Sequence, residues 1–115
     1  MDKKATRTAF RNAVFTRDHY ACCCCGKLGK DRQGGDGHLK FHSKPVVDLD
    51  SHHIFPRELM PNGGYVESNG ISVCDECHLK AEAYWHKDTW PEEFEPDKLY
   101  ELISSSLAKA IELSV

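Results

Sequence analysis

The sequence predicts a small α+β domain, with a two-stranded hairpin running into a helix, a four-cysteine zinc knuckle, and a further helix at either end. Three observations predict it. A β-favouring run at Val46, Val47 and Leu49, stopped by Pro56, is answered after the turn-forming Pro61, Asn62, Gly63 and Gly64 by Tyr65, Val66 and then Ile71 to Val73. Apolar residues recur at helical spacing near both termini. Two Cys-x-x-Cys pairs, Cys22 with Cys25 and Cys74 with Cys77, lie about fifty residues apart. A chain of 115 residues without an internal repeat makes one domain, residues 1–115, with a modest core.

Residues 1–20 read as the first helix. Asp2, Thr6 and Thr8 are candidate caps, and Ala9, Phe10, Ala13, Val14 and the stem of Arg17 share one side. Lys4, Arg7, Arg11 and Arg17 share the other. A charged face is ordinarily just solvated; beside a nucleic-acid site, Arg7 and Arg11 become phosphate contacts.

Residues 21–26 and 74–77 form the knuckle. The two-residue gap lets Cys22 and Cys25, and again Cys74 and Cys77, turn both thiolates to one metal, giving a Zn(Cys)₄ site. Four thiolates leave no open position, so this Zn²⁺ is structural. It contributes about 10–16 kcal/mol in comparable small domains, more than a small core supplies. Disulfides are the competing reading, and the absence of an export signal argues against them. Cys23 and Cys24 are spare, unless a ligand shifts within the run.

Residues 27–45 are polar and Gly-rich and read as a flexible basic loop, with a short hairpin near residues 39–41. Lys27, Lys30, Arg32, Lys40 and Lys44 make it either a basic arm tracking a DNA backbone or an insertion without a role. His38 and His42 read as surface histidines rather than ligands. Residues 46–86 carry the hairpin and its helix. The strand delivers His52 and His53 to a loop, and the helix starts near Cys74 with Asp75 and Glu76 at its positive end. His78 and Glu82 then lie one turn apart on one side. Tyr84, Trp85, Trp90 and Phe94 read as packing residues. Residues 96–113, with Leu99, Leu102, Ile103, Leu107, Ala110 and Ile111 in helical register, form the last helix, which covers the core or a partner.

The net charge of −3 hides an asymmetry. Residues 1–44 hold ten Lys or Arg against four Asp or Glu, a net of +6, and residues 87–115 hold three against seven, a net of −4. An acidic total is unusual for a duplex binder, so weak intrinsic affinity or help from a protein partner or homodimer is expected. No apolar run is long enough to span a membrane and no signal peptide opens the chain, which makes the cytoplasm the default.

Three stretches, taken in order, resemble one family. Val14-Phe15-x-Arg17-Asp18-x-Tyr20-x-Cys22-x-x-Cys25-Gly26, Leu49-x-x-His52-His53-Ile54 and Asn69-Gly70-Ile71-x-Val73-Cys74-x-x-Cys77-His78 resemble the HNH endonucleases, whose core is the ββα-metal motif. The resemblance spans roughly residues 10–82. It implies that His53 is the general base, that His52 and His78 hold a catalytic divalent metal, and that Asn69 holds the loop and His53 in orientation or touches the metal. Relatives often carry a second helix histidine one turn after the first. Here that position is Glu82, with His86 a turn further, so the third ligand is Glu82 or His86; the competing reading of Glu82 is a solvated helix carboxylate. A carboxylate ligand favours Mg²⁺ or Mn²⁺.

The chemistry explains the residue types. Phosphodiester hydrolysis needs a water stripped of a proton, which an imidazole of pKa about 6.5 accepts at pH 7. It also needs positive charge against the phosphate, from a metal acting as Lewis acid and from Arg57 at the loop edge, unless Arg57 is only a surface arginine. The implied function is a metal-dependent endonuclease that nicks or cuts DNA, leaving 5′-phosphate and 3′-hydroxyl ends. Chains like this are carried by phages and prophages, so a bacterial or phage-infected cell is the expected setting. The competing reading is a zinc-stabilised nucleic-acid or protein-binding module without catalysis. Such a binder has no need of His52, His53, Asn69 and His78 together.

Overall fold

Asp2 opens the first helix, α1 (Lys3–Arg17), by accepting the Lys4 amide on its side chain at 2.9 Å. The computed structural model describes residues 2–34 and 47–115. Phe10, Val14 and Phe15 are the buried residues of α1, whereas Ala9, expected on the core side, is exposed. The helix stops at Arg17 rather than running to residue 20, because His19 and Tyr20 take left-handed φ values of 56° and 52° and turn the chain into the knuckle. Arg17 is not part of an outer basic face. It pairs with Asp18 and donates to the carbonyls of Glu67 and Gly70, each at 2.7 Å, which ties the end of α1 to the connection before the last strand.

A strand stands where residues 27–45 read as loop. β1 (Gly29–Asp31) pairs in parallel with β2 (Val47–His53), Gly29 opposite Val47. Three residues give no readable periodicity, but the glycine is needed: a Cβ at Gly29 would sit 2.5 Å from Leu49 Cγ. Val46, Lys40, Lys44, His38, His42 and the short hairpin near residues 39–41 lie outside the described residues.

β2 pairs antiparallel with β3 (Gly70–Cys74), His52 opposite Ile71 and His53 opposite Gly70, giving sheet order β1-β2-β3. The histidine pair is therefore the end of the strand and not the loop beyond it. Tyr65 and Val66 stay outside β3, because 3-10 turns at Arg57–Leu59, Pro61–Gly64 and Glu67–Asn69 fill the connection. α2 (Asp75–Trp85) follows β3 directly, with Cys74 as its N-cap and two carboxylates in its first turn.

The expected helix over residues 96–113 is two helices, α3 (Pro96–Leu102) and α4 (Leu107–Ser114). Ser104 takes a φ of 55°, and Ser106 restarts the helix by accepting the Lys109 amide at 3.1 Å. The apolar spacing runs through the break and conceals it. Phe15, Leu49, Ile54, Ile71, Val73, Leu99, Tyr100 and Ala110 share one core under the sheet and helices. Among the described residues no helix is long and apolar enough to cross a membrane.

Candidate metal centres

Cys22, Cys25, Cys74 and Cys77 converge, their sulfurs all within 4.8 Å of one another. Two elements supply them: the turn after α1, closed by the Gly26 amide on the Cys22 carbonyl at 2.8 Å, and the junction of β3 with α2. Cys25 Sγ lies 3.7 Å from Cys74 Sγ. Sulfurs each about 2.3 Å from a tetrahedral zinc are about 3.8 Å apart, so the cluster has the size of that ion. No cysteine is in a disulfide. The Cys22 sulfur is held as thiolate, with its pKa brought down to about 3 by the Cys24 thiol, against burial, and by the backbone amides of Cys74, Cys25 and Cys24. Burial pushes the Cys25 and Cys77 thiols up, a cost that a bound divalent cation reverses. The four thiols therefore form a cluster able to hold a structural metal such as zinc. Cys23 and Cys24 stand outside it.

A second cluster lies on the other side of α2. Donor atoms of His52, His78 and Glu82 all fall within 4.8 Å of one another. Glu82 Oε1 is 3.1 Å from His78 Nε2 and 3.6 Å from His52 Nδ1. His86, the alternative third ligand, is exposed and meets only the far oxygen of Glu82, at 3.6 Å. The strand's alternation brings one further residue that the sequence reading missed: Asp50, two positions before His52 and on the same face. Its Oδ2 is 3.3 Å from His78 Nδ1, while Arg32 Nε donates to its Oδ1 at 3.0 Å. A proton on Nδ1 shared with Asp50 leaves His78 Nε2 free to bind a cation, the usual arrangement of a metal-ligating histidine.

Electrostatics agree with the geometry. The hydrogen bond that His78 donates to Asp50 leads in holding the His78 pKa up, and His52 and His78 hold the Glu82 carboxyl down to about 2 against burial. His52, only 4% exposed, is kept neutral by burial. Its Nε2 has no partner and its Nδ1 stands beyond hydrogen-bond length from Glu82. A buried ring so poorly satisfied is uncommon; a cation shared by Nδ1, His78 and Glu82 would satisfy its Nδ1 side. Two imidazoles and a carboxylate are a fitting donor set for a divalent ion.

His53 points elsewhere. Its ring stacks on Phe10 (centroids 4.5 Å apart, planes at 28°) and takes Tyr65 edge-on at 4.9 Å. Burial first, and then the charge of Arg57, press its pKa down to about 4, and its Nε2 is buried without a partner. Asn69 makes no bond to this ring. Its Oδ1 accepts from the Phe55 amide at 3.1 Å and the Tyr100 hydroxyl at 2.6 Å, and its Nδ2 donates to the carbonyls of Phe55 and Gly64. Its own carbonyl accepts the Ile54 amide at 2.9 Å. Asn69 thus fixes the two residues that follow His53, with both atoms of its side-chain amide engaged by protein partners.

A cleft of about 640 Å³ joins these groups: His52, His53, His78 and Glu82 line it together with Arg7, Arg11 and Arg57. The described cations of the segment read as a DNA-tracking arm or as an insertion without a role are engaged within the chain. Lys27 faces Glu76 at 3.9 Å, Lys30 faces Asp48 at 4.0 Å, and Arg32 pairs with Asp48, Asp50 and Asp75. Arg11 itself holds Asp31 at 3.1 Å. Trp85 packs edge-on against Phe55, and Tyr84 against Trp85 and Trp90, as packing residues do. Comparison of the chain with protein-family models, curated proteins and solved structures finds no match.

Proposed function

We propose that the chain is a metal-dependent endonuclease of the HNH type, with β2, β3 and α2 as its ββα-metal core, hydrolysing phosphodiester bonds of DNA. One observation carries the reading: a neutral imidazole, a three-donor cation cluster and two arginines outside any ion pair, Arg7 and Arg57, line one cleft. A mere scaffold has no use for that combination.

In this reading His53 takes the proton from the attacking water. Its suppressed basicity keeps it unprotonated well below neutral pH, and Phe10 and Tyr65 hold its plane, so the accepting nitrogen has little freedom. His52, His78 and Glu82 would hold a divalent ion, with Asp50 orienting His78. When bound, that ion supplies Lewis-acid stabilisation of the charge on the phosphate and the leaving oxygen. Arg57, its Nη1 3.0 Å from the Tyr65 hydroxyl, adds positive charge at the rim next to His53.

The test is nicking of supercoiled plasmid with Mg²⁺ or Mn²⁺. Wild type relaxes it, and His53→Ala leaves it intact while keeping its circular dichroism spectrum and its metal content. Equal nicking by the two proteins would remove His53 from the chemistry, and a wild type inert with every divalent ion would leave a zinc-stabilised binding module.

A further inference from the structure

The charge accounting of the described residues is uneven. Arg11, Arg17, Lys27, Lys30 and Arg32 all face carboxylates. Lys3, Arg7 and Arg57 make no ion pair with any described carboxylate. These three, drawn from the first turns of α1 and from the connection after β2, converge on one place. They line a second cavity of about 450 Å³, together with Glu58, Asn62 and Tyr65. Arg7, Arg57, Glu58 and Tyr65 line the larger cleft as well, so the two spaces adjoin across the Tyr65 side chain. The Tyr65 hydroxyl accepts from Arg57 Nη1 at 3.0 Å, and Arg7 lies close enough to the same phenol to help lower its pKa. Three cations face one carboxylate, and Asn62 is already committed to the Ser114 carbonyl at 2.7 Å.

We infer that the second cavity is a phosphate subsite, taking a phosphodiester next to the reacting one and leading a nucleic-acid strand over the amino-terminal half of α1. The inference rests on the nuclease reading for the identity of the neighbouring phosphate, but not for the existence of an anion site. Two guanidinium groups beside one phenol suit a phosphate's several oxygens, and Lys3, which lines the second cavity alone, adds a third positive charge. The strand's direction follows: away from β1, where every described cation is already matched, and towards the helix that the apolar packing of Phe10 and Val14 holds in place.

The experiment uses the whole zinc-bound protein and a fluorescein-labelled single-stranded oligodeoxynucleotide, with affinity read by anisotropy at several salt concentrations. Lys3→Gln is the informative variant because Lys3 lines the second cavity alone; Lys4→Gln, the adjacent lysine that lines neither cavity, is the control. Loss of one phosphate contact lowers the magnitude of the log–log salt slope by about 0.7. That loss is expected in Lys3→Gln, absent in Lys4→Gln and restored in Lys3→Arg. An unchanged slope in Lys3→Gln, or an equal loss in Lys4→Gln, overturns the subsite. A wild type that cleaves nothing, yet shows the Lys3-specific slope, sinks the nuclease reading and leaves the subsite standing.

Discussion

Replacing Asn69 by alanine tests whether this residue acts on structure or on chemistry. Its side chain is fully buried and makes four hydrogen bonds, two accepted on Oδ1 and two donated from Nδ2. Truncation leaves the Phe55 amide, the Tyr100 hydroxyl and two carbonyls without those partners, at a net of about 1 kcal/mol each, and adds a small cavity. The expected loss is about 3–5 kcal/mol, a large part of a small domain's stability. Urea unfolding of the zinc-bound protein reads it directly. Tyr100→Phe removes only the 2.6 Å bond and costs about 1 kcal/mol, and the double variant loses less than the sum of the two singles because they share that bond. Any loss of nicking by Asn69→Ala should follow displacement of residues 54 and 55, with binding of the second cation unaffected. If Asn69→Ala unfolds within about 1 kcal/mol of wild type yet cannot bind the second cation, the structural reasoning is wrong and Asn69 is a ligand.

Other outcomes follow from the same geometry. Cys25→Ser loses the tightly held zinc and much of the fold, whereas Cys24→Ser keeps one equivalent by metal analysis; equal zinc loss in both would place a ligand elsewhere in the run. Glu82→Gln and Asp50→Asn weaken Mn²⁺ binding in calorimetry, the second by about 10–100-fold as for other residues that orient a ligand, while His86→Gln leaves it unchanged. His53 has a folded pKa of about 4, below an unfolded value of about 6.5. Its neutral form is therefore the one the fold prefers, and its contribution to stability is full above pH 6.5 and lost as pH falls from there towards 4. Against His53→Phe, which keeps the aromatic packing, wild type should lose stability more steeply across that window; parallel curves would refute the shift.

The parts of the fold written in local chemistry were legible. Cys-x-x-Cys spacing located the knuckle, and helical spacing put His78 and Glu82 on one side of α2. The carboxylate in place of a second helix histidine does complete the second cluster. What stayed hidden depends on partners distant in sequence. β1 is three residues long and exists because Gly29 lets Leu49 approach. Nothing in the sequence sets Asp50 apart from Asp48 on the same strand; its place beside the site rests on His78, 3.3 Å away. Whether the basic segment is a DNA-tracking arm or an insertion without a role stayed open because charge counts do not reveal pairing, and its described cations face Asp48, Asp50, Asp75 and Glu76. The break at Ser104 left no mark in the apolar pattern, only in a backbone angle.

The two clusters meet at the junction of β3 and α2, and their order along the chain explains why both are there. Cys74 closes β3, Cys77 follows in the first turn of α2, and His78 is the very next residue. Neighbouring helix positions point about 100° apart, so one turn sends Cys77 into the knuckle and His78 into the cleft. A helix with exposed Leu79 and few buried residues has little packing of its own to fix its rotation. Four sulfurs around one ion would fix it, because Cys22 and Cys25 belong to the turn after α1 and cannot follow a rotating helix. Turning α2 by one residue would carry His78 away from Asp50 and from His52, both of them held on β2. The cysteine cluster's contribution to the cleft is therefore angular: it sets which face of α2 looks at the strand. A donor cluster drawn from a strand end and a short helix would thus gain its rotational anchor from the cysteines one residue away.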